Sequence, residues 1–354
     1  MTREYTVDVI AGDGIGQEVT PAAMSCIDSV AAARDVTIHW REREWGSDYY
    51  RHHGSMMPTD GLDQLGSGDA IYLGAVGDPD IPDTETLWGL LIPIRRTFDQ
   101  YVNLRPARTL PGVETCLSPI DVMVVRENVE GEYSEKGGRF GEGMAETAVQ
   151  ESIFTRKGIA RVSAYAANLA LQRSGRLTSA TKSNGIIHTM PFWDEVVRET
   201  VGATPTVTLD SELIDALAAR VVLKPGSLDV IVASNLFGDI ISDLVAAVAG
   251  SIGIAPSANL NPERRHPSLF EPVHGSAPDI AGKGIANPIA AIWAGAMMLD
   301  HLGEKDAASD LESAFTRSLA AGIKTRDLGG SATTAEFTAD VLHNLSMTIT
   351  TPEE

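Results

Sequence analysis

Positive charge is scarce in this 354-residue chain: 28 lysines and arginines face 48 aspartates and glutamates, a formal net charge of −20 at pH 7. Such an acidic protein repels phosphate backbones and anionic lipid headgroups, so nucleic acid and membrane surfaces drop out as expected partners. It also imposes a condition on any anionic substrate, which needs a local cluster of positive charge. Cysteine is almost missing. Cys26 and Cys116 are the only two and neither has a CxxC-type neighbour, which predicts a reducing, cytoplasmic setting without a disulfide framework. The opening MTREYTVDVIAGDG lacks a basic-then-apolar pattern and reads as a first buried strand. Residues 244–262 carry no charge, but Gly250, Gly253 and Pro256 with interspersed Ser and Asn make them a poor bilayer span. Repeats and low-complexity tracts are absent.

What is present is the length for about two domains and an alternation of strand-like and helix-like runs. YTVDVIA, VTIHW, DAIYLGAV, VNLRPAR, IDVMVVREN, LTSATK, TPTVTLD and LDVIVAS read as strands; 17–33, 84–99, 155–174, 190–200 and 211–222 read as helices. The pattern predicts an α/β protein with layered sheets. Residues 131–154, Gly-rich and then alternating, interrupt it and predict a protruding hairpin. An arm without its own core packs on another subunit, so a dimer is expected.

GDGIGQEV invites a dinucleotide reading, but the GxGxxG fingerprint needs glycine at 17, where Gln17 stands. Phosphate contact and a tight strand-to-helix turn both remain open for this loop. In SNLFGDIISD, Asp239 and Asp243 are the only charges between Val230 and Pro262. At helical spacing they share a face and repel by about 0.2–0.5 kcal/mol even in water. Burial worsens this unless something positive sits between them. A solvated face is the plain alternative, although no Lys, Arg or Glu shares it. On this reading Asp239→Asn relieves repulsion in the metal-free protein. Arg95, Arg96, Arg105, Arg108 and Arg126 supply the required positive cluster. Scattered surface arginine fits Arg96 and Arg108 better than the other three, whose forks suit carboxylates.

The runs GDGIG, IRR, NLRP, VREN with Tyr133, TKSN, SNLFGDIISD and EPVHGSAPDIAGKGIANP, in that order along almost the whole chain, resemble the β-decarboxylating family of isocitrate and 3-isopropylmalate dehydrogenases. LWGLLIPIRRTFDQYVNLRP and RENVEGEYSEKGGR are most similar to its D-malate/tartrate dehydrogenases. The resemblance implies a two-domain α/β open sheet that is not a Rossmann fold. Residues 1–100 with 254–354 would form the large cofactor-binding domain, and 101–253 the small domain with the metal site and the dimerisation arm at 131–154.

It further implies NAD- and divalent-metal-dependent oxidative decarboxylation of a small 2-hydroxy dicarboxylate, D-malate or tartrate, in a homodimer with shared active sites. The alternative is 3-isopropylmalate dehydrogenase. A non-catalytic regulatory subunit is the rival of another class, disfavoured because Tyr133, Lys182 and all three aspartates are present. By this resemblance Asp239 and Asp243 would bind Mg²⁺ or Mn²⁺ with Asp215 of a second subunit, and K⁺ would be an optional further cation. Arg95, Arg105 and Arg126 would hold the substrate carboxylates. Lys182, also from the second subunit, would take the C2 hydroxyl proton, and Tyr133 would protonate the enolate. His274, Gly275, Ser276, Ala277, Pro278, Asp279, Ile280 and Asn287 would form the adenosine loop, with Asp279 on the ribose, Asn287 on adenine, Asn184 on the nicotinamide side and Gly14–Ile15 lining the cleft. Trp88, where isopropylmalate dehydrogenases carry Glu, would shorten the substrate pocket and also contact substrate beside Asp215; as a lone helical residue, without the motif, it reads as core instead.

Overall fold

In a computed structural model that describes residues 2–115 and 119–350, the apolar runs become strands. They are β1 (Arg3–Gly12), β2 (Val36–Glu42), β3 (Ala70–Ala75), β4 (Val102–Arg108), β5 (Asp121–Glu127), β6 (Gly137–Phe140), β7 (Thr147–Gln150), β8 (Arg176–Thr181), β9 (Thr208–Leu213), β10 (Val230–Ala233), β11 (Pro256–Leu260) and β12 (Ser268–Pro272). The chain divides into two compact units. The first runs to Gln100, adds Thr109–Thr115 and resumes at Ala249; the second takes Tyr101–Arg108 and the chain through Val248.

In the first unit the strands are ordered β2-β1-β3-β12-β11. All neighbours are parallel except β11, which runs antiparallel to β12. A parallel neighbour taken from the far end of the chain is not the 3-2-1-4-5-6 order of a Rossmann domain. β3 is buried along its whole length, as a strand covered on both faces must be. One face packs Ile10, Ile71, Leu73 and Leu269 against Trp45, Met56, Leu65, Leu90, Ile94 and Phe98. The other meets the helix Ile289–Leu302, whose near-continuous apolar sequence is buried on almost every side. Cys26 lies in this core with its thiol pushed up to about 12 by burial; Cys116 is outside the described residues. The run 84–99 is helical but not one regular helix. Asp83–Thr86 leads into a π-turn at Leu87–Leu91, followed by Ile92–Thr97.

The second unit orders its strands β4-β5-β10-β8-β9, with β4 antiparallel to β5 and the others parallel. Helices Arg156–Leu171 and Thr189–Gly202 pack on this sheet. Thr155 caps the first, accepting from the Gly158 N–H. β9 begins later and runs further than TPTVTLD suggests, because pairing with β8 carries it on to Leu213 opposite Thr181. Asp215 therefore falls in the first turn of the helix Ile214–Leu223. The hairpin β6–β7 is antiparallel and exposed at every residue, closed at its base by the Gly131–Ile153 bridge.

Candidate active site

β10 ends at Ala233, and the chain turns at once into the helix Asn235–Ala249, which carries Asp239 and Asp243 one turn apart. β4 and β5 present Arg105 and Arg126 to it. Arg126 Nη1 lies 2.6 Å from Asp239 Oδ1, while its Nε and Nη2 donate to Asn235 Oδ1 at 3.2 and 2.7 Å. Arg105 Nη1 is 3.3 Å from one oxygen of each aspartate. It also donates to Ser242 Oγ at 2.9 Å, and its Nε to Asn103 Oδ1 at 2.7 Å. Gly238 makes room: a Cβ there would lie 2.5 Å from Arg126 Cγ. The two like charges are thus tolerated because two buried guanidiniums meet them, and the repulsion relief expected for Asp239→Asn does not survive this geometry. Burial still holds the Asp243 carboxyl above its usual range; Asp239 adds to this and the arginines oppose it.

Tyr133 joins this cluster. Its hydroxyl donates to Asp239 Oδ2 at 2.8 Å, and its ring centroid is 5.6 Å from the Arg126 guanidinium carbon. The segment leading to it is stapled by three glutamates that sequence reasoning passed over. Glu127 accepts from the Val129 and Glu130 N–H groups, and Glu130 accepts from Thr155 N and Oγ1. Glu132 accepts from Ser234 Oγ at 2.6 Å and from the Leu236 N–H at the start of the aspartate helix. Glu127 is fully buried, and burial pushes its carboxyl up to about 8.

Lys182, at the end of β8, donates to Asp215 Oδ1 at 2.6 Å. That hydrogen bond holds the Asp215 carboxyl below its usual range. Asn184 follows, exposed. Among the described residues no three His, Cys, Asp or Glu side chains converge as a metal-binding group within one chain. Asp239 and Asp243 are together; Asp215 pairs with Lys182 instead.

In the first unit Arg95 is buried, with Nη2 3.2 Å from Glu271 Oε1. Glu271 is held in turn by Asn259 Nδ2 at 2.7 Å, and the buried Arg95 Nε has no hydrogen-bond partner among the described residues. Trp88 is half-buried under Arg96, whose guanidinium carbon is 5.1 Å from the indole centroid. Arg96 is therefore not a scattered surface charge.

The GDGIG loop folds tightly for steric reasons. Cβ atoms on Gly12, Gly14 and Gly16 would lie 1.9, 2.1 and 2.2 Å from the carbonyl oxygens of Ala75, Ser276 and Ala11. Gly14 and the Ile15 N–H, which donates to Ser276 O at 2.8 Å, back directly onto the loop that starts at His274. Glu18 grips the same loop by accepting from the Gly282 and Gly284 N–H groups. Ala277 adopts φ +41°, a left-handed turn uncommon for a residue with a Cβ. Burial keeps the His274 ring below its usual pKa, while Gly275, Pro278 and Asp279 are exposed and Ile280 half-buried. Asn287 is a strut: its amide donates to Asp327 at 2.9 Å and accepts from the Ile289 N–H. An amide has two N–H donors, so one further contact stays within its capacity. Glu18 and Asp327 were legible only as ordinary surface acids.

A profile of the family described as isocitrate/isopropylmalate dehydrogenase matches residues 6–341. The chain is 53% identical over 350 residues to the D-malate dehydrogenase [decarboxylating] of Escherichia coli (strain K12), covering 95% of this chain and 97% of that one. It is 51% identical over 359 residues to the tartrate dehydrogenase/decarboxylase of Pseudomonas putida, covering 97% and 98%. Among solved structures, isocitrate dehydrogenase from Methylococcus capsulatus matches with a TM-score of 0.88 at 33% identity, over 96% of this chain and 99% of that one.

Proposed function

This chain belongs to the isocitrate/isopropylmalate dehydrogenase family of oxidoreductases, and on that premise we propose that it oxidatively decarboxylates a small 2-hydroxy dicarboxylate, D-malate or tartrate, with NAD⁺ and a divalent cation. The observation that carries this reading is the cluster of Arg105, Arg126, Tyr133, Asp239 and Asp243, in which cationic forks, a phenol and two carboxylates converge.

The donor chemistry suits Mg²⁺ or Mn²⁺. Asp239 and Asp243 are hard oxygen ligands, 32% and 53% exposed, and so present oxygens outward. Asp239 and Asp243 would hold the cation, which would supply Lewis acidity, and a bound nicotinamide would supply the hydride acceptor. The rest falls to the chain's own groups. Arg95, Arg105 and Arg126 bind the substrate carboxylates; each guanidinium is buried and already held by side-chain partners within its own unit, so little ordering of that side chain is left for binding. Lys182 accepts the C2 hydroxyl proton, directly or through water. Loss of CO₂ leaves an enolate, and Tyr133 delivers the proton to its carbon. Asp279, exposed on its loop, accepts from a ribose hydroxyl and repels a 2′-phosphate, which favours NAD⁺ over NADP⁺.

We further propose a homodimer with shared sites. Lys182 and Asp215 pair with each other, Asp215 forms no metal-binding group with Asp239 and Asp243 among the described residues of one chain, and Ile187 (67%), Ile240 (55%) and Met144 (104%) are exposed apolar side chains that another copy of the chain would cover. No helix among the described residues is long and apolar enough to cross a membrane.

The test is NADH formation over D-malate, L-tartrate, 3-isopropylmalate and isocitrate, with and without chelator. D-malate or tartrate is expected to give the highest kcat/KM, abolished by chelation. In this reading the Trp88 indole excludes a branched C3 substituent, since overfilling a rigid pocket costs about 1–3 kcal/mol. Trp88→Ala should then raise relative turnover of 3-isopropylmalate. Preferred turnover of 3-isopropylmalate by the unmodified enzyme would overturn the substrate assignment.

A further inference from the structure

Arg95 follows Trp88 by seven positions, a spacing that in a regular α-helix places both side chains within about 20° of one face. The helix is not regular there. Leu87–Leu91 form a π-turn, in which the Ile92 N–H reaches back to the Leu87 carbonyl and the turn takes in one more residue than an α-turn. The added residue changes which arginine shares the Trp88 face. Arg96 lies over the indole at 5.1 Å, whereas Arg95 is directed to Glu271 at 3.2 Å. Adjacent arginines thereby take different partners, Arg95 a buried carboxylate and Arg96 an aromatic ring.

The π-turn is also wedged in place. Gly89 lies against Met56 so closely that a Cβ would fall 2.9 Å from Met56 Cγ and 3.3 Å from its Cβ. Met56 is 1% exposed and belongs to the core cluster with Leu90 and Ile94. A side chain at 89 would force Met56 or the turn to shift, so the turn that sets the Trp88–Arg96 pairing is itself packed closely on the core.

We propose that Arg96 is a positioning residue for substrate specificity: it holds the Trp88 indole in one orientation, and the fixed ring excludes 2-hydroxy acids with a branched alkyl group at C3. The inference rests on the reading that Trp88 bounds the substrate, and the experiment separates the two. Arg96→Met keeps side-chain length and removes the cation; Arg96→Lys keeps a cation. Each is assayed for kcat and KM on D-malate and 3-isopropylmalate, alone and combined with Trp88→Ala.

Arg96→Met is expected to raise the 3-isopropylmalate to D-malate ratio of kcat/KM by about two- to five-fold, the factor that a cation–π contact at a partly exposed site supports. The gain should appear as a lower KM for the branched substrate, with kcat on D-malate unchanged within about twofold, and Arg96→Lys should restore most of the discrimination. In the Trp88→Ala background Arg96→Met should add nothing, because the ring through which it acts is gone. If Trp88→Ala shifts the ratio and Arg96→Met does not, the Arg96 inference falls and the substrate reading stands. If the two effects add, Arg96 acts independently of Trp88 and the inference also falls. If neither variant shifts the ratio, the role of Trp88 itself is refuted.

Discussion

Asp239 takes hydrogen bonds from Arg126 and Tyr133 and stands within 3.3 Å of Arg105, so its charge is spent on three neighbours at once. Asp239→Asn is expected to abolish metal-dependent turnover. It should also lower the stability of the metal-free protein by about 1–3 kcal/mol, since buried guanidiniums lose a charged acceptor. Urea denaturation with chelator present measures this; a stability gain would mean that repulsion by Asp243 outweighs attraction by the arginines. Glu127 poses the opposite problem, a carboxyl with no exposure and a folded pKa near 8 against 4.5 in the unfolded chain. Between those values the folded state holds a proton that the unfolded state has lost, so this group makes stability fall as pH rises. Glu127→Gln, which can still accept from the Val129 and Glu130 N–H groups, should match wild type in the acid range and exceed it increasingly toward pH 8. Thermal melts at fixed ionic strength across that range check the slope, and parallel curves would show that Glu127 is ionised in the fold.

At the scale of elements, the GDGIG loop is held by backbone proximity on both sides. Gly14, at φ +53° with its missing Cβ 2.1 Å from Ser276 O, is the most exacting position. Gly14→Ala is expected to destabilise the first unit by about 1–3 kcal/mol through strain and forced displacement. Because the displaced neighbour is Ser276, it should also weaken NADH binding by fluorescence titration more than it alters kcat. Unchanged NADH affinity in a folded variant would detach this loop from the cofactor. Most strands were legible, since runs such as AIYLGA are apolar throughout and bounded by polar turns. β9 was misplaced because its extension depends on β8, which no local pattern reports. The π-turn was invisible because LWGLLIPIRR has helical periodicity on either side of it. The arginines and aspartates of the site could be picked out one by one, but their mutual compensation joins side chains more than a hundred residues apart, as does the Glu132–Ser234 contact.

At the scale of the molecule, the lack of a metal-binding group that joins Asp215 to Asp239 and Asp243 among the described residues of one chain leads to a prediction about assembly. Lys182→Ala and Arg126→Ala should each be inactive alone, while co-expressed hybrids should regain up to half the wild-type activity per dimer through one intact site. Verified heterodimers without any activity would place both residues in the site of a single chain. The pairing of β3 with β12, in which Tyr72 lies beside Phe270, bears on how the protein is made. The second unit is almost one continuous piece of chain and can close as soon as Val248 has left the ribosome. The first unit cannot. Its opening strands emerge earliest, yet one edge of β3 stays unpaired until Ser268–Pro272 is synthesised, and an apolar strand with an open edge is what other nascent chains adhere to. Strands of this unit made early are therefore completed late, and the β3 edge stays open to wrong partners in the interval.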